Sequence, residues 1–280
     1  MTTLIPTEAA EKVINSIRIP PRPTVIGELL RERSHSNPDL RKIAQLIAKD
    51  IALSAAMLKT VNSPFFGLRH KIDSPQQAVM VLGLSNVANV ITALSLKNAI
   101  GKQIRLERFW DSAERVADIC AFIAGRVPDI SRDMAYMFGL FHDCGIPLLM
   151  QKFPDYLETL KLANAEAVRS FTSIEDERYA TNHATLGYLL ARGWALADDI
   201  CEAILNHHDL SVLTSPDALP GATRGLIAVV RVAEHIADAD RMRDDPSWEC
   251  TGYLAMEHLG LSEEEVGDIN DDLVRQRRAE

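Results

Sequence analysis

Apolar residues recur three and four positions apart along nearly the whole chain, and no stretch alternates apolar with polar as a half-buried strand would. That spacing puts the apolar side chains on one face of a helix, so the fold class is all-α. Asn37 and Pro38 read as an N-cap and first turn ahead of the stripe Leu40, Ile43, Ala44, Ile47 and Ala48. Leu53, Ala56, Met57 and Thr60 continue the pattern until Ser63, Pro64 and Gly67 interrupt it. Ser74-Pro75 opens a helix carrying Ala78, Val79 and Leu82 that Gly83 closes. Ser85 caps the next, through Val87, Val90, Ile91, Leu94 and Leu96. Further helices are expected over 110–123, over 226–237, and over 133–150, where Met134, Met137, Phe138, Leu140, Phe141, Leu148 and Leu149 suit a path through the centre of the domain.

A chain of 280 residues with 47% apolar and 25% charged residues can bury a sizeable core. No apolar run of membrane-spanning length and no leader in MTTLIPTEAAEKV are expected, which implies a location in the cytoplasm, without a membrane partner. Cys120, Cys144, Cys201 and Cys250 are widely spaced and read as reduced, mostly core residues. A formal net charge of −9 argues against unspecific contact with nucleic acid. Arg22, Arg31, Arg33 and Arg41 near the start, with Arg275, Arg277 and Arg278 near the end, leave room for local DNA contact, though a solvated charged surface explains them equally well. The segment 211–223, rich in Ser, Pro, Gly and Thr, is the clearest loop. Beyond its middle the chain becomes a helical extension whose charged end, from Asp238 onward, should pack peripherally. The expected organisation is an N-terminal helix over 1–17, a main domain over 18–215 and a packed C-terminal extension over 216–280.

Six of the eight histidines follow position 141, and three places stand out: FHDCG with His142 and Asp143, NHATLG with His183, and NHHD with His207 and His208. His183 shares a helix face with Leu186, Gly187 and Leu190, and His207 extends the stripe of Ile200, Ala203 and Ile204, so both imidazoles are expected to point inward. Imidazoles and carboxylates aimed into an apolar interior need partners, and one divalent ion of Zn, Fe, Mn or Ni satisfies several together. The alternative is structural: a histidine pair at a helix end is also stable when solvated, where its charge suits the helix dipole, or when hydrogen bonded.

Several stretches, read in order, resemble the HDOD family, the HD-related output domains of bacterial regulators. IRIPPRPTVIGELL is similar to the family's Pro-containing opening, LRKIAQLIAKDIALSAAMLKTVNSPFFG to its segment ending in Asn-Ser, and IDSPQQAVMVLGLSNVANVI to the segment that follows. AYMFGLFHDCGIPLL, His183 with Gly187, Trp194 and AILNHHD resemble the HD part. The resemblance covers about residues 18–210 and implies a multi-helix HD-like bundle.

It also implies roles. His142 and Asp143 match the His-Asp pair of HD phosphohydrolases, and His183, His207 and His208 resemble the further histidines of the HD-GYP branch, which together hold metals that activate water against a phosphoester. The early ligand histidine would fall at Asp111 or Ser112, the late aspartate at Glu234, and the lysine after His-Asp-x-Gly at Ile146. Asp111 and Glu234 are thus additional candidate ligands, and Ile146 cannot contact phosphate as a cation does. The resemblance therefore implies a signalling module with a partial metal pocket, acting on a protein partner. The alternative is a metal-dependent phosphohydrolase of a nucleotide or cyclic dinucleotide. Phe65 and Phe66 in VNSPFFG are either a contact surface for that partner or pieces of core.

Overall fold

A computed structural model describes the backbone of residues 8–62, 68, 70–100 and 106–278, and among them every regular element is helical. The segment 64–67, with Phe65 and Phe66, lies outside the described residues. Two compact units result, one formed by residues 20–103 and the other by 1–19 with 104–279. The second begins with α1 (Glu8–Ser16).

The unit over 20–103 holds α2 (Thr24–Arg33), α3 (Leu40–Ala48), α4 (Ile51–Val61) and α5 (Pro75–Ile100). Ile26, Leu29, Ile43, Ile47, Met57 and Val61 are buried together with Val79, Val90 and Ile91, each removing apolar surface worth roughly 1.5–3 kcal/mol. The cap of α3 is Asp39, not Asn37: its Oδ1 accepts from the N–H groups of Arg41 and Lys42 at 3.0 and 3.1 Å, which a side chain two residues earlier does not reach. Asp50 caps α4 in the same way, through the N–H of Leu53 at 2.9 Å. Asn62 pins the connection beyond α4, accepting from the N–H of Ile72 at 2.7 Å and donating to its carbonyl at 2.8 Å.

The two helices expected on either side of Gly83 run on as α5, with Gly83 breaking the helical geometry at φ 77° and ψ 168°. Only glycine adopts that conformation without steric cost. Because the two apolar stretches join, α5 is long and apolar enough by length and composition to cross a membrane, with a mean hydropathy of 1.8 over its most apolar window. This corrects the expectation that no run reaches that length. Half of that window is buried inside the fold, as in the core helix of many globular domains.

The larger unit continues with α6 (Glu107–Ala124), α7 (Arg132–Phe141), α8 (Ile146–Lys152), α9 (Tyr156–Asn164), α10 (Phe171–Tyr179), α11 (His183–Gly193) and α12 (Asp198–Asn206). A 3-10 turn (Leu210–Leu213) then leads to α13 (Gly221–Asp240), α14 (Trp248–Leu259) and α15 (Glu263–Arg278). The expected loop over 211–223 is therefore shorter, since the turn takes its first residues and α13 its last. At the centre stands α13, packed by α6, α7, α12 and α14, with Leu226, Ile227, Val229, Val230, Val232 and Ile236 buried.

The single helix expected over 133–150 is two. It stops at Phe141, turns through residues 142–145 and resumes as α8. Pro147 accounts for the stop, because its ring cannot pack against the carbonyl of Asp143 and it brings no N–H. The apolar stripe runs through the break unchanged, because the turn residues Cys144 and Gly145 are as deeply packed as the helices around them.

Candidate metal centre

The break between α7 and α8 builds the pocket. His142 ends α7 and Asp143 follows in the turn, while Asn182 caps α11, accepting from the N–H of Thr185 at 2.8 Å, so that His183 is the first helical residue. Gly145 makes this approach possible: a Cβ there would stand 2.0 Å from the carbonyl oxygen of His183. His207 and His208 close α12, and Glu234 projects from the middle of α13.

Asp143 stands between two donor groups. Its Oδ1 lies 3.3 Å from Nε2 of His183 and 3.6 Å from Nε2 of His207. Its Oδ2 lies 3.4 Å from Nε2 of His142, which is itself 3.5 Å from Oε1 of Glu234. Asp143, His183, His207 and His208 thus form one set of potential metal ligands, and His142, Asp143 and Glu234 a second, with the ligand atoms of each set within 4.8 Å of one another. His142, His183 and His207 are buried, whereas Asp143 and Glu234 each keep 27% side-chain exposure and open the pocket to solvent.

The imidazoles are oriented from behind. Nδ1–H of His142 donates to the carbonyl of Gly139 at 2.6 Å, Nδ1–H of His207 to that of Ile204 at 2.8 Å, and Nδ1–H of His183 to Oε2 of Glu175 at 2.6 Å. Those oxygens only accept, so the proton sits on Nδ1 in each ring and Nε2 faces the pocket. Backing of this kind is how metal-binding histidines are held. Nε2 of His183 approaches Nε2 of His207 at 3.3 Å and that of His208 at 3.0 Å. Nitrogens that close repel through their lone pairs unless a proton or a cation lies between them, so the donor set fits a divalent ion.

The same crowding governs protonation. Burial acts to lower the pKa of His142, but the carboxylates of Asp143 and Glu234 outweigh it and hold the imidazole well above its usual range. His183 is likewise opposed by burial and pushed up to about 10 by Glu175 and Asp143. Burial would raise Asp143, yet His142, His183 and His207 hold it well below the ordinary carboxylate range. His208 is driven well below its normal value by burial and by the neighbouring His207 and His183.

His142, Asp143, His183, His207, His208 and Glu234 therefore meet at one place. Asp111 does not: it lies exposed on α6 and belongs to neither group. Ser112, the other residue at that point of the chain, accepts from Nη1 of Arg241 at 2.6 Å. Ile146 is buried in α8. Cys120, Cys144 and Cys201 are buried free thiols, pushed up by burial, and Cys250 is exposed.

Glu175 is a residue that sequence reasoning passed over. Fully buried on α10, it accepts from both Nδ1 and the backbone N–H of His183, the latter at 3.1 Å, and from the hydroxyl of Tyr156. Its signal was present in the spacing Phe171, Glu175, Tyr179, which sets one acid of IEDER on an otherwise aromatic face.

Comparison with known proteins agrees with this architecture. An uncharacterized protein of Treponema pallidum (strain Nichols) is 27% identical over 216 residues, covering 75% of this chain and 40% of that protein. Cyclic di-GMP phosphodiesterase CdgJ of Vibrio cholerae is 26% identical over 162 residues, covering 55% of this chain and 37% of that protein. The chain thus spans less than half the length of these curated relatives. The crystal structure of an HDOD domain protein with unknown function from Geobacter sulfurreducens superposes with a TM-score of 0.73 at 22% identity, covering 97% of this chain and 95% of that one. The HDOD domain profile matches residues 19–210, and on that match the chain belongs to the HDOD family.

Proposed function

We propose that this chain is a metal-binding HDOD signalling module that does not turn over phosphoesters, and that it passes its state to a protein partner in the cytoplasm. The observation that carries the reading is the combination of a carboxylate shared by two donor sets with the residues standing at the hydrolytic positions. Asp143 serves both sets, whereas Ser112 is engaged by Arg241 and Ile146 is an apolar core residue. In the resemblance to HD phosphohydrolases these two places belong to a ligand and to a cationic phosphate contact. His183, His207, His208 and Asp143 would hold one ion, and His142, Glu234 and the other oxygen of Asp143 a second. A bound dication supplies Lewis-acid charge to whatever oxygen reaches it. His183 and His142 would each offer Nε2 to the ion of its own set, and the exposed edge at Asp143 and Glu234 would admit a small ligand.

The second reading is a metal-dependent phosphohydrolase of a nucleotide or cyclic dinucleotide. The shared carboxylate favours it, and the likeness to a cyclic di-GMP phosphodiesterase over 55% of the chain is compatible with it. One experiment separates the two. The purified chain is analysed for metal and then assayed with Mn, Fe, Ni and Zn against bis-p-nitrophenyl phosphate, p-nitrophenyl phosphate and cyclic di-GMP. The signalling reading expects bound metal and no turnover above the Asp143→Ala background. Turnover that disappears in Asp143→Ala would establish the hydrolase instead.

A further inference from the structure

Glu175 is a fully buried carboxylate, and both of its oxygens accept hydrogen bonds. Oε2 receives Nδ1–H of His183 at 2.6 Å and the backbone N–H of His183 at 3.1 Å, while Oε1 receives the hydroxyl of Tyr156, which is itself fully buried on α9. Two separate helices, α9 and α10, are thus committed to one ring of α11. The backbone bond fixes where α11 starts, and the bond to Nδ1 fixes how the ring is turned and which nitrogen is left with a lone pair.

The set that His183 joins has a defined chemical character. Three imidazole nitrogens and one carboxylate oxygen suit borderline ions such as Zn, Co or Ni, whereas Mg and Ca prefer oxygen donors throughout. A carboxylate hydrogen bonded behind an imidazole also raises the basicity of its other nitrogen, which strengthens that preference.

We propose that Glu175, braced by Tyr156, is the positioning residue that turns Nε2 of His183 into the pocket and sets its affinity for a borderline dication over Mg. The proposal rests on the metal-site reading above and goes beyond it by assigning the control of one ligand to a residue outside both donor sets. Glu175 touches no ion itself, so its effect is read through His183.

Titration of the full-length chain with Co(II) alone, followed by visible absorption, tests it, because the d–d bands report ligand field as well as binding. Glu175→Gln should weaken Co(II) binding by about 10- to 100-fold, with partial recovery in Glu175→Asp, and Mg should compete poorly in the unaltered chain. Long-range 1H–15N spectra of the Zn-loaded protein, in which the ion replaces the proton on Nε2, should show His183 protonated at Nδ1 alone in the unaltered chain and lose that pattern in Glu175→Gln. If that variant does not fold, Tyr156→Phe keeps the carboxylate while removing its phenolic donor. Loss of one hydrogen bond to a charged group should then weaken Co(II) binding by about 10-fold. Unchanged affinity and an unchanged His183 tautomer in Glu175→Gln, or unchanged affinity in Tyr156→Phe, overturns the proposal. An unaltered chain that binds Co(II) no better than Asp143→Ala removes the metal-site reading itself and the proposal with it, a failure distinguished by appearing before any change at Glu175.

Discussion

Asp143 is the residue on which the pocket turns, because its two oxygens face different imidazoles and replacing it removes a potential ligand from both sets. In the metal-free chain the same carboxylate helps to hold protons on its neighbours. Burial opposes the charged form of His183, but Glu175 and Asp143 push its pKa up to about 10, and His142 is shifted in the same direction. A metal takes the lone pair that a proton occupies, so binding near pH 7 must expel protons, and apparent affinity should rise with pH. Calorimetric titration with Zn in buffers of different ionisation enthalpy should therefore give heats that vary with the buffer, corresponding to about one proton released for each such imidazole engaged. Heats independent of the buffer would contradict the protonation pattern. At this scale much of the pocket was legible: five of its side chains are histidines and an aspartate in apolar helical settings, where such residues have few reasons to be. Glu234 was legible only through the family resemblance, since an acid in a long helix is ordinarily solvated. Glu175 was missed because its burial depends on α9 and α11 closing over it, and Asp111 was proposed only from its place in the chain, which says nothing of the direction it faces.

Among the elements, α13 ties the pocket to the C-terminal helices. Arg231, one turn before Glu234, is nearly buried and donates from Nη2 to both oxygens of Asp245 at 2.9 Å and to Oγ of Ser247 at 3.0 Å. His235 stacks on Trp248 with ring centroids 3.9 Å apart and donates from Nδ1 to Asp245 at 3.2 Å. Burial would raise the Asp245 carboxyl, but His235 and Arg231 outweigh it and hold it at about 2. A folded pKa below the unfolded value of about 3.9 makes a contribution that is fully present above pH 4 and disappears as pH falls through 2. Asp245→Asn should therefore cost about 2 kcal/mol at pH 7, measured by urea unfolding, and the gap to the unaltered chain should narrow from pH 4 downward. A gap independent of pH would mean that the carboxylate charge is not what fastens α14 to α13. The helices themselves were largely readable from apolar spacing and caps. The division of 133–150 was not, because the turn that carries His142 and Asp143 is buried and continues the apolar stripe, and Pro147 was the one local sign of it.

Across the whole molecule, the family match over 19–210 takes in the unit over 20–103 and part of the larger one, while Glu234 comes from α13, beyond the matched span. The all-helical class followed from periodicity, because helices such as α3, α6 and α13 bury a stripe of that spacing. The length of α5 did not, since Gly83 reads as a stop in the sequence and serves as a break within a continuing run. The central claim is that this fold holds a divalent ion through Asp143. Diffraction data from crystals of the intact chain grown with Zn, collected on both sides of the Zn absorption edge, test it most directly. The account predicts an anomalous peak among Asp143, His183, His207 and His208 that is lost in Asp143→Ala. A map without that peak, in which the imidazoles and the carboxylate simply bond to one another, would contradict it.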